Sequence, residues 1–258
     1  MKPKNTDRRA TSTIIVAAAQ IHVHDDSAKN LKTMLRYLKK AASRKINIVC
    51  FPETSLIHDT KGKITAEECN SLIKKISYSC KQHRISCIFS THYFEKNKIY
   101  NRAFFIDDLG TIAGTYDKMN LWKNENQKIS PGQKSSIITT KFGKIGIIIC
   151  WDMAFPGFVQ KIARQGAWIV FCPSYLRSYN READSYLSMP YARAFENSCA
   201  IVFTDAANKN TLAYSCICTP DRMHVEIRKK EGMIHAILDR KKIEKIRKHY
   251  NLIKTSYL

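Results

Sequence analysis

Lys144 to Pro156 read KIGIIICWDMAFP, an apolar run that ends on a thiol. Ile145 and Ile147 to Ile149 have the character of a buried strand, which stops at Trp151-Asp152 ahead of a Phe-Pro step. Two readings of Cys150 are open. Free cysteine is a small hydrophobe that buries well and needs no further role. A strand that breaks into a helix is also the geometry that exposes a nucleophile at the end of a sheet.

On either side of this segment, apolar strands alternate with amphipathic helices along the whole chain. Residues 12–23 read as a strand and 25–45 as a helix with Leu31, Met34, Leu35 and Leu38 on one side. INIVCFPE (46–53) is a short buried strand, and residues 65–84 are a helix opened by the capping-box pair Thr65 and Glu68. Three strands are expected over 85–95, 99–107 and 110–118, and a hairpin with Gly143 in its turn over 135–150. A helix over 156–166, a strand over 167–174 and a helix over 186–199 follow, with strands at 200–208, 214–220 and 232–239. There is no low-complexity linker and no internal repeat, so one α/β domain is the simplest architecture.

Three segments share a design in which an apolar strand delivers a reactive residue at its C-terminal end: Glu53 in CFPE, Lys118 in TYDK and Cys150 in IIIC. Loops at strand ends are where α/β sheets build active sites. Each alone has a plain alternative: a helix-capping glutamate, a surface lysine, an inert buried cysteine. Together they suit one reaction. A thiol must lose its proton to attack a carbon bonded to nitrogen, and a carboxylate can take that proton and return it to the departing amine. A fixed ammonium with backbone N–H groups stabilises the oxyanion formed between.

CFPETS, YDKMNLWKNENQKISPG and GKIGIIICWDMAFP, in this order and at these separations, resemble the carbon–nitrogen hydrolase family, or nitrilase superfamily, which shares a Glu-Lys-Cys triad. VAAAQ, YNRAFFID, RQGAWIVFCPS and ARAFEN extend the resemblance from about Ile14 to Asp239. It implies an α/β fold of the four-layer α-β-β-α sandwich type. It implies Glu53 as general base, Lys118 as oxyanion-stabilising cation, Cys150 as nucleophile and Glu125 as an assisting glutamate. The N–H of Trp151 would complete the oxyanion hole. Independently of the resemblance, Trp151 and Tyr175, each just beyond a strand end, are expected to form an apolar wall for the rest of the substrate. Protomers of the family pair through helices, so a homodimer or larger homo-oligomer is expected, with 156–166 and 186–199 as the pairing elements. Asn120 stands where the family often has histidine, Gly157 where it has glutamate, and Asp59-Thr60 where Gly-Tyr is frequent. Substrate specificity therefore does not transfer with the resemblance.

The chain has 258 residues, 44% hydrophobic and 25% charged, enough for a large core and without a run of the ~20 apolar residues that span a bilayer. The expected division is a basic N-terminal tail (1–12), a carbon–nitrogen hydrolase domain (13–240) and a basic C-terminal tail (241–258). That last tail would wrap a dimer partner through Tyr250, Leu252, Ile253 and Tyr257. Nine cysteines without a C-x-x-C pair argue against a disulfide scaffold or zinc ribbon and for a reducing cytoplasm. His22-x-His24 is read as surface histidines, so no metal and no cofactor is expected. The net charge of +21 leaves room for weak, non-specific nucleic-acid binding but comes with no recognition module. The leading expectation is an amidase-like hydrolase that acts on a small amide or N-carbamoyl amine through a thioester and releases ammonia. A nitrilase and a catalytically silent polyanion-binding protein are the alternatives; Asp152, where nitrilases typically carry glutamate, disfavours the first. A papain-like Cys-His pair has no matching segment around His58, His83 or His92.

Overall fold

Along Thr13–Gln20 (β1) the side chains alternate between two cores, with Ile14, Val16 and Ala18 facing one and Ala17 and Ala19 the other. A central strand buried on both faces in this way implies layers on either side. The computed structural model describes residues 12–58, 65–177 and 183–250. It contains helices Ser27–Ser43 (α1), Ala66–His83 (α2), Pro156–Arg164 (α3), Ala183–Glu196 (α4) and Arg240–Tyr250 (α5). The remaining strands are Ile48–Cys50 (β2), Ser86–Glu95 (β3), Lys98–Ile106 (β4), Ile112–Asp117 (β5), Ser136–Thr140 (β6) and Gly143–Ile147 (β7). They continue with Ile169–Pro173 (β8), Ala200–Thr204 (β9), Tyr214–Thr219 (β10), Arg222–Arg228 (β11) and Gly232–Asp239 (β12).

The strands form two six-stranded mixed sheets, ordered β12-β1-β2-β3-β4-β5 and β11-β10-β9-β8-β7-β6. Helices α1 and α2 bury Met34, Leu38, Ile73 and Ile76 against the first sheet. Val159 and Ile162 of α3, Ala194 of α4 and Ile243 of α5 join the core that contains the second. This is the expected α-β-β-α sandwich. Gly114 of β5 marks a close approach at its rim: a Cβ there would lie 2.6 Å from Ile138 of β6.

Local chemistry accounts for the element ends. Asp26 accepts from the N–H groups of Ala28 and Lys29 to cap α1, and Thr65 and Glu68 form the expected capping box of α2. Pro52 lacks an N–H, and β2 ends at Cys50, short of the expected Glu53. In the first sheet β1, β2 and β3 are parallel, and β5 lies two antiparallel steps from β3, so β2 and β5 end on the same side. In the second, β7, β8 and β9 are parallel. Strand ends that deliver Glu53, Lys118, Cys150 and Tyr175 are thus gathered by topology.

Two elements depart from the sequence expectation. Strand β11 was not expected, although Met223, Val225 and Ile227 alternate through it, the first two packed against the core and the third buried. Most of α5 lies in what reads as a basic tail, yet it packs on its own chain. Ile243 is buried, and the Arg247 guanidinium donates to the carbonyls of Ala167 and Ser198 at 2.8 and 3.1 Å. Tyr250, assigned to a partner contact, lies 6.0 Å from the Phe195 ring of the same chain. Leu252, Ile253, Tyr257, Asp59, Thr60 and residues 1–11 fall outside the described residues. Among the described residues no helix is long and apolar enough to cross a membrane.

Candidate active site

Strand β7 ends at Ile147, and Ile148 still donates to the Phe171 carbonyl at 3.0 Å before the chain turns. Cys150 then adopts φ +47°, opening a 3-10 turn over Cys150–Ala154 that leads into α3. A non-glycine residue in the left-handed region is held there only when its surroundings over-determine it. Asp152, wholly buried, is the surrounding that does so. One carboxylate oxygen accepts from the Ile149 N–H at 2.9 Å and the Tyr116 hydroxyl at 2.7 Å. The other accepts from the Asn120 N–H at 2.9 Å and its Nδ2 at 2.8 Å. The thiol's turn is thereby tied to the segment that carries Lys118, and Asn120, a departure from the family pattern, is one of the ties.

Three residues from distant parts of the chain converge on Glu53. Its Oε1 accepts from Lys118 Nζ at 2.8 Å and from Asn101 Nδ2 at 2.7 Å, while Oε2 accepts the backbone N–H of Tyr175 at 3.0 Å. Glu125 Oε2 lies 2.9 Å from Lys118 Nζ and also accepts the Trp122 N–H at 2.7 Å. The lysine, 1% exposed, is therefore clamped between two carboxylates. The Lys118 backbone is fixed as well, donating to Asn101 and accepting from Gly132. Gly132 is needed there, because a Cβ would fall 2.1 Å from the Asp117 carbonyl oxygen.

Electrostatics follow from this crowding. Burial lifts the Cys150 thiol well above the ordinary range and the Glu53 charge lifts it further, opposed by Lys118 and by a hydrogen bond from the Tyr175 N–H. The cysteine is a thiol at rest, beside a carboxylate able to take its proton. Burial pulls Lys118 down, but Glu53, Cys150 and Glu125 outweigh it and hold the ammonium above the usual lysine range. Burial raises the Glu125 carboxyl, with Lys118 opposing and Glu53 adding. Burial also pushes His92 down to about 4, so it is uncharged near neutral pH.

The expected substrate walls are placed differently from each other. Trp151 sits in an aromatic cluster, with Trp122 edge-on at 4.4 Å and Tyr186 at 6.0 Å. Tyr175, expected as apolar, stands in polar surroundings. Its ring stacks on His58 at 4.6 Å and its hydroxyl donates to Asn210 at 3.1 Å. Behind that ring lies a recess of about 360 Å³ lined by His22, His24, His58, Asn208 and Asn210. The His22 and His24 rings are 4.5 Å apart, and among the described residues no three His, Cys, Asp or Glu side chains are grouped to hold a metal.

Sequence reasoning brought together Glu53, Lys118, Cys150 and Glu125, and missed Asn101, Asp152 and Asp205. Asp205, fully buried, accepts the N–H groups of Leu176 and Ala206 at 2.9 Å and so fixes the segment that presents the Tyr175 N–H. Asp205 could have been found as a polar residue just past the apolar strand AIVFT, and Asp152 follows the cysteine itself; Asn101, beside Arg102 and ahead of AFFI, carries no such signal.

A model of the family described as carbon-nitrogen hydrolase matches residues 15–248. The chain belongs to this family. A probable nitrilase of Schizosaccharomyces pombe, C965.09, is 27% identical over 245 residues, which is 87% of this chain and 88% of that one. The mouse omega-amidase NIT2 is 24% identical over 266 residues, 94% and 95% of the two chains. The crystal structure of a carbon-nitrogen hydrolase from Helicobacter pylori G27 superposes with a TM-score of 0.88 at 20% identity, covering 95% of this chain and 96% of its own. That likeness establishes the sandwich fold.

Proposed function

We propose that this carbon-nitrogen hydrolase family member cleaves a small amide or N-carbamoyl amine through a thioester on Cys150, releasing ammonia. The observation that carries the reading is the convergence on Glu53. A carboxylate, an ammonium and a thiol from three separate strand ends share one buried polar cluster, with Tyr175 donating its N–H between carboxylate and thiol.

In this mechanism Glu53 takes the Cys150 proton as sulfur attacks the carbonyl carbon, so a thiol of raised pKa becomes a nucleophile only when substrate is present. The carbonyl oxygen gains the negative charge, which Lys118 and the Trp151 N–H stabilise. Protonated Glu53 then returns the proton to nitrogen, the C–N bond breaks and ammonia leaves. Glu53 next deprotonates water, whose attack on the thioester frees the acid or carbamate and restores the thiol. Glu125 keeps Lys118 charged and aimed. The polar recess beyond Tyr175 suits a substrate with a hydrogen-bonding tail, and the likeness to an omega-amidase supports an amide.

The test is ammonia release from a panel of small amides, N-carbamoyl amines and nitriles after exhaustive chelation. Turnover of an amide or carbamoyl amine is expected, with Cys150→Ala and Cys150→Ser both below about a hundredth of wild type, on the scale of general-base effects. Activity confined to nitriles, activity lost on chelation, or a Cys150→Ala variant above that level would overturn the proposal. The same reading makes the protein a homodimer that pairs through the face of α3 and α4, where Phe155, Tyr191 and Phe195 are exposed. All nine cysteines are free and buried, which fits a reducing compartment such as the cytoplasm.

A further inference from the structure

Helices α1 and α2 enclose a groove of about 770 Å³ on the outer surface of the first sheet, lined by Leu35, Arg36, Lys39, Lys74, Lys75 and Tyr78. The two helices meet along the core residues beneath it, so the groove is remote from Cys150 and on the layer opposite α3 and α4. Helix α1 carries Lys29, Lys32, Arg36, Lys39 and Lys40 and no acidic residue. The acidic residues of α2, Glu67 and Glu68, are confined to its first turn, and Glu68 is engaged in the capping box.

The groove cations differ from the protein's other basic cluster. On α5, Arg240 pairs with Glu244 at 2.7 Å, Lys242 with Asp221 at 2.8 Å, and Arg247 is spent on backbone carbonyls. Among the described residues Arg36, Lys39, Lys74 and Lys75 form no ion pair. All four are exposed, and Tyr78 beside them is 68% exposed, an aromatic ring offered to solvent at the groove.

We infer that this groove binds single-stranded nucleic acid. Unpaired cations along a channel track a phosphate backbone, and an exposed aromatic side chain supplies a stacking platform that tolerates any base. A membrane is the weaker fit. The site is concave, and the exposed positions of α1 are five lysines and arginines with Ala28 and Ser43, without the apolar stripe by which an amphipathic helix enters a bilayer. An acidic peptide would use the cations and leave Tyr78 idle. If all four cations meet phosphates, log K falls with log salt with a slope of about −2.8, roughly −0.7 per phosphate, or about a fifty-fold loss between 50 and 200 mM salt.

The experiment is fluorescence anisotropy of a fluorescein-labelled oligouridylate of about twelve nucleotides, within the site-size range of single-strand grooves, titrated with the full-length protein. One variant combines Arg36→Gln, Lys39→Gln, Lys74→Gln and Lys75→Gln; its charge-matched control combines Lys230→Gln, Lys241→Gln, Lys245→Gln and Lys248→Gln. The groove variant is expected to bind at least tenfold more weakly at low salt and to lose about 2.8 from the salt slope, with the control within about threefold of wild type. Tyr78→Ala should weaken binding about fivefold or more with the salt slope unchanged, as loss of stacking rather than charge. Thermal unfolding curves establish that the variants fold; should the quadruple variant not fold, Lys74→Gln with Lys75→Gln and Tyr78→Ala carry the same test. Equal losses in groove variant and control, no binding at low salt, or binding of polyglutamate or phosphatidylserine vesicles at the groove as tight as that of the oligonucleotide would each overturn the inference.

Discussion

Replacing Asp152 by asparagine keeps the shape of a buried side chain and inverts half of its hydrogen bonding. Each carboxylate oxygen takes two donors: Ile149 N–H and the Tyr116 hydroxyl on one, the Asn120 N–H and Nδ2 on the other. Whichever oxygen becomes an NH2 group, a backbone N–H faces a donor, and even if the Tyr116 hydroxyl rotates or the Asn120 amide flips to accept, that N–H and one amino hydrogen stay unpaired. At roughly 1–3 kcal/mol for each buried group left unpaired, the cost is about 2–6 kcal/mol. Relief from burying an ionised carboxylate, which burial already pushes above its usual pKa, returns part of this. A net loss of about 2–4 kcal/mol is expected, a large share of the roughly 5–15 kcal/mol that holds a domain together. Equilibrium urea unfolding of wild type and variant measures it. Turnover of the folded variant should also fall by tenfold or more, because the Cys150 turn loses its anchor and small misplacements of a nucleophile are costly. Tyr116→Phe removes a single donor and serves if Asp152→Asn does not fold; about 1–2 kcal/mol is expected. Full stability with full activity in Asp152→Asn would refute the idea that this carboxylate ties the nucleophile to the lysine segment.

Cys150 should be the first of the nine cysteines to react with iodoacetamide, since it is 9% exposed and the other eight are 0%. Its raised pKa makes the alkylation rate climb about tenfold per pH unit up to at least pH 9; peptide mapping over a pH series checks this, and a plateau below pH 8 would contradict it. Asp205 has its pKa raised by burial from 3.8 to about 8, so its contribution to stability is full at acid pH and declines as pH rises from about 4 through about 8. Asp205→Asn keeps an oxygen for Leu176 and Ala206 but turns its NH2 toward the Tyr214 N–H, which Oδ2 accepts at 3.3 Å, so it should flatten the pH dependence of thermal unfolding across that window at some cost in stability; an unchanged profile argues against it. Sedimentation at micromolar concentration should show a dimer, and Phe195→Glu, placed on the exposed face of α4, should shift it toward monomer; a wild-type monomer would remove the proposed pairing.

Short-range pattern made much of the fold legible. Period-two and period-3.6 hydrophobicity identified α1 to α4 and most strands, because a side chain's choice of core or solvent is set by its own apolar area. β11 does not stand out because it is a charged edge strand with a single buried residue, Ile227, and α5 because a highly basic surface helix with one buried isoleucine resembles a solvated tail. Glu53, Lys118 and Cys150 stood out in short segments whose chemistry could be read in place, and Glu125 came from the family resemblance. Local pattern therefore specifies most of the strands and the reactive groups they deliver. What those groups touch is settled only once the chain has folded. Glu53 meets Asn101 48 residues away and Tyr175 122 residues away, and Asp152 reaches Tyr116 across 36. Such contacts leave no periodicity in the chain, because a hydrogen bond depends on position to within a few tenths of an ångström, and that position is set only when two sheets close on one another.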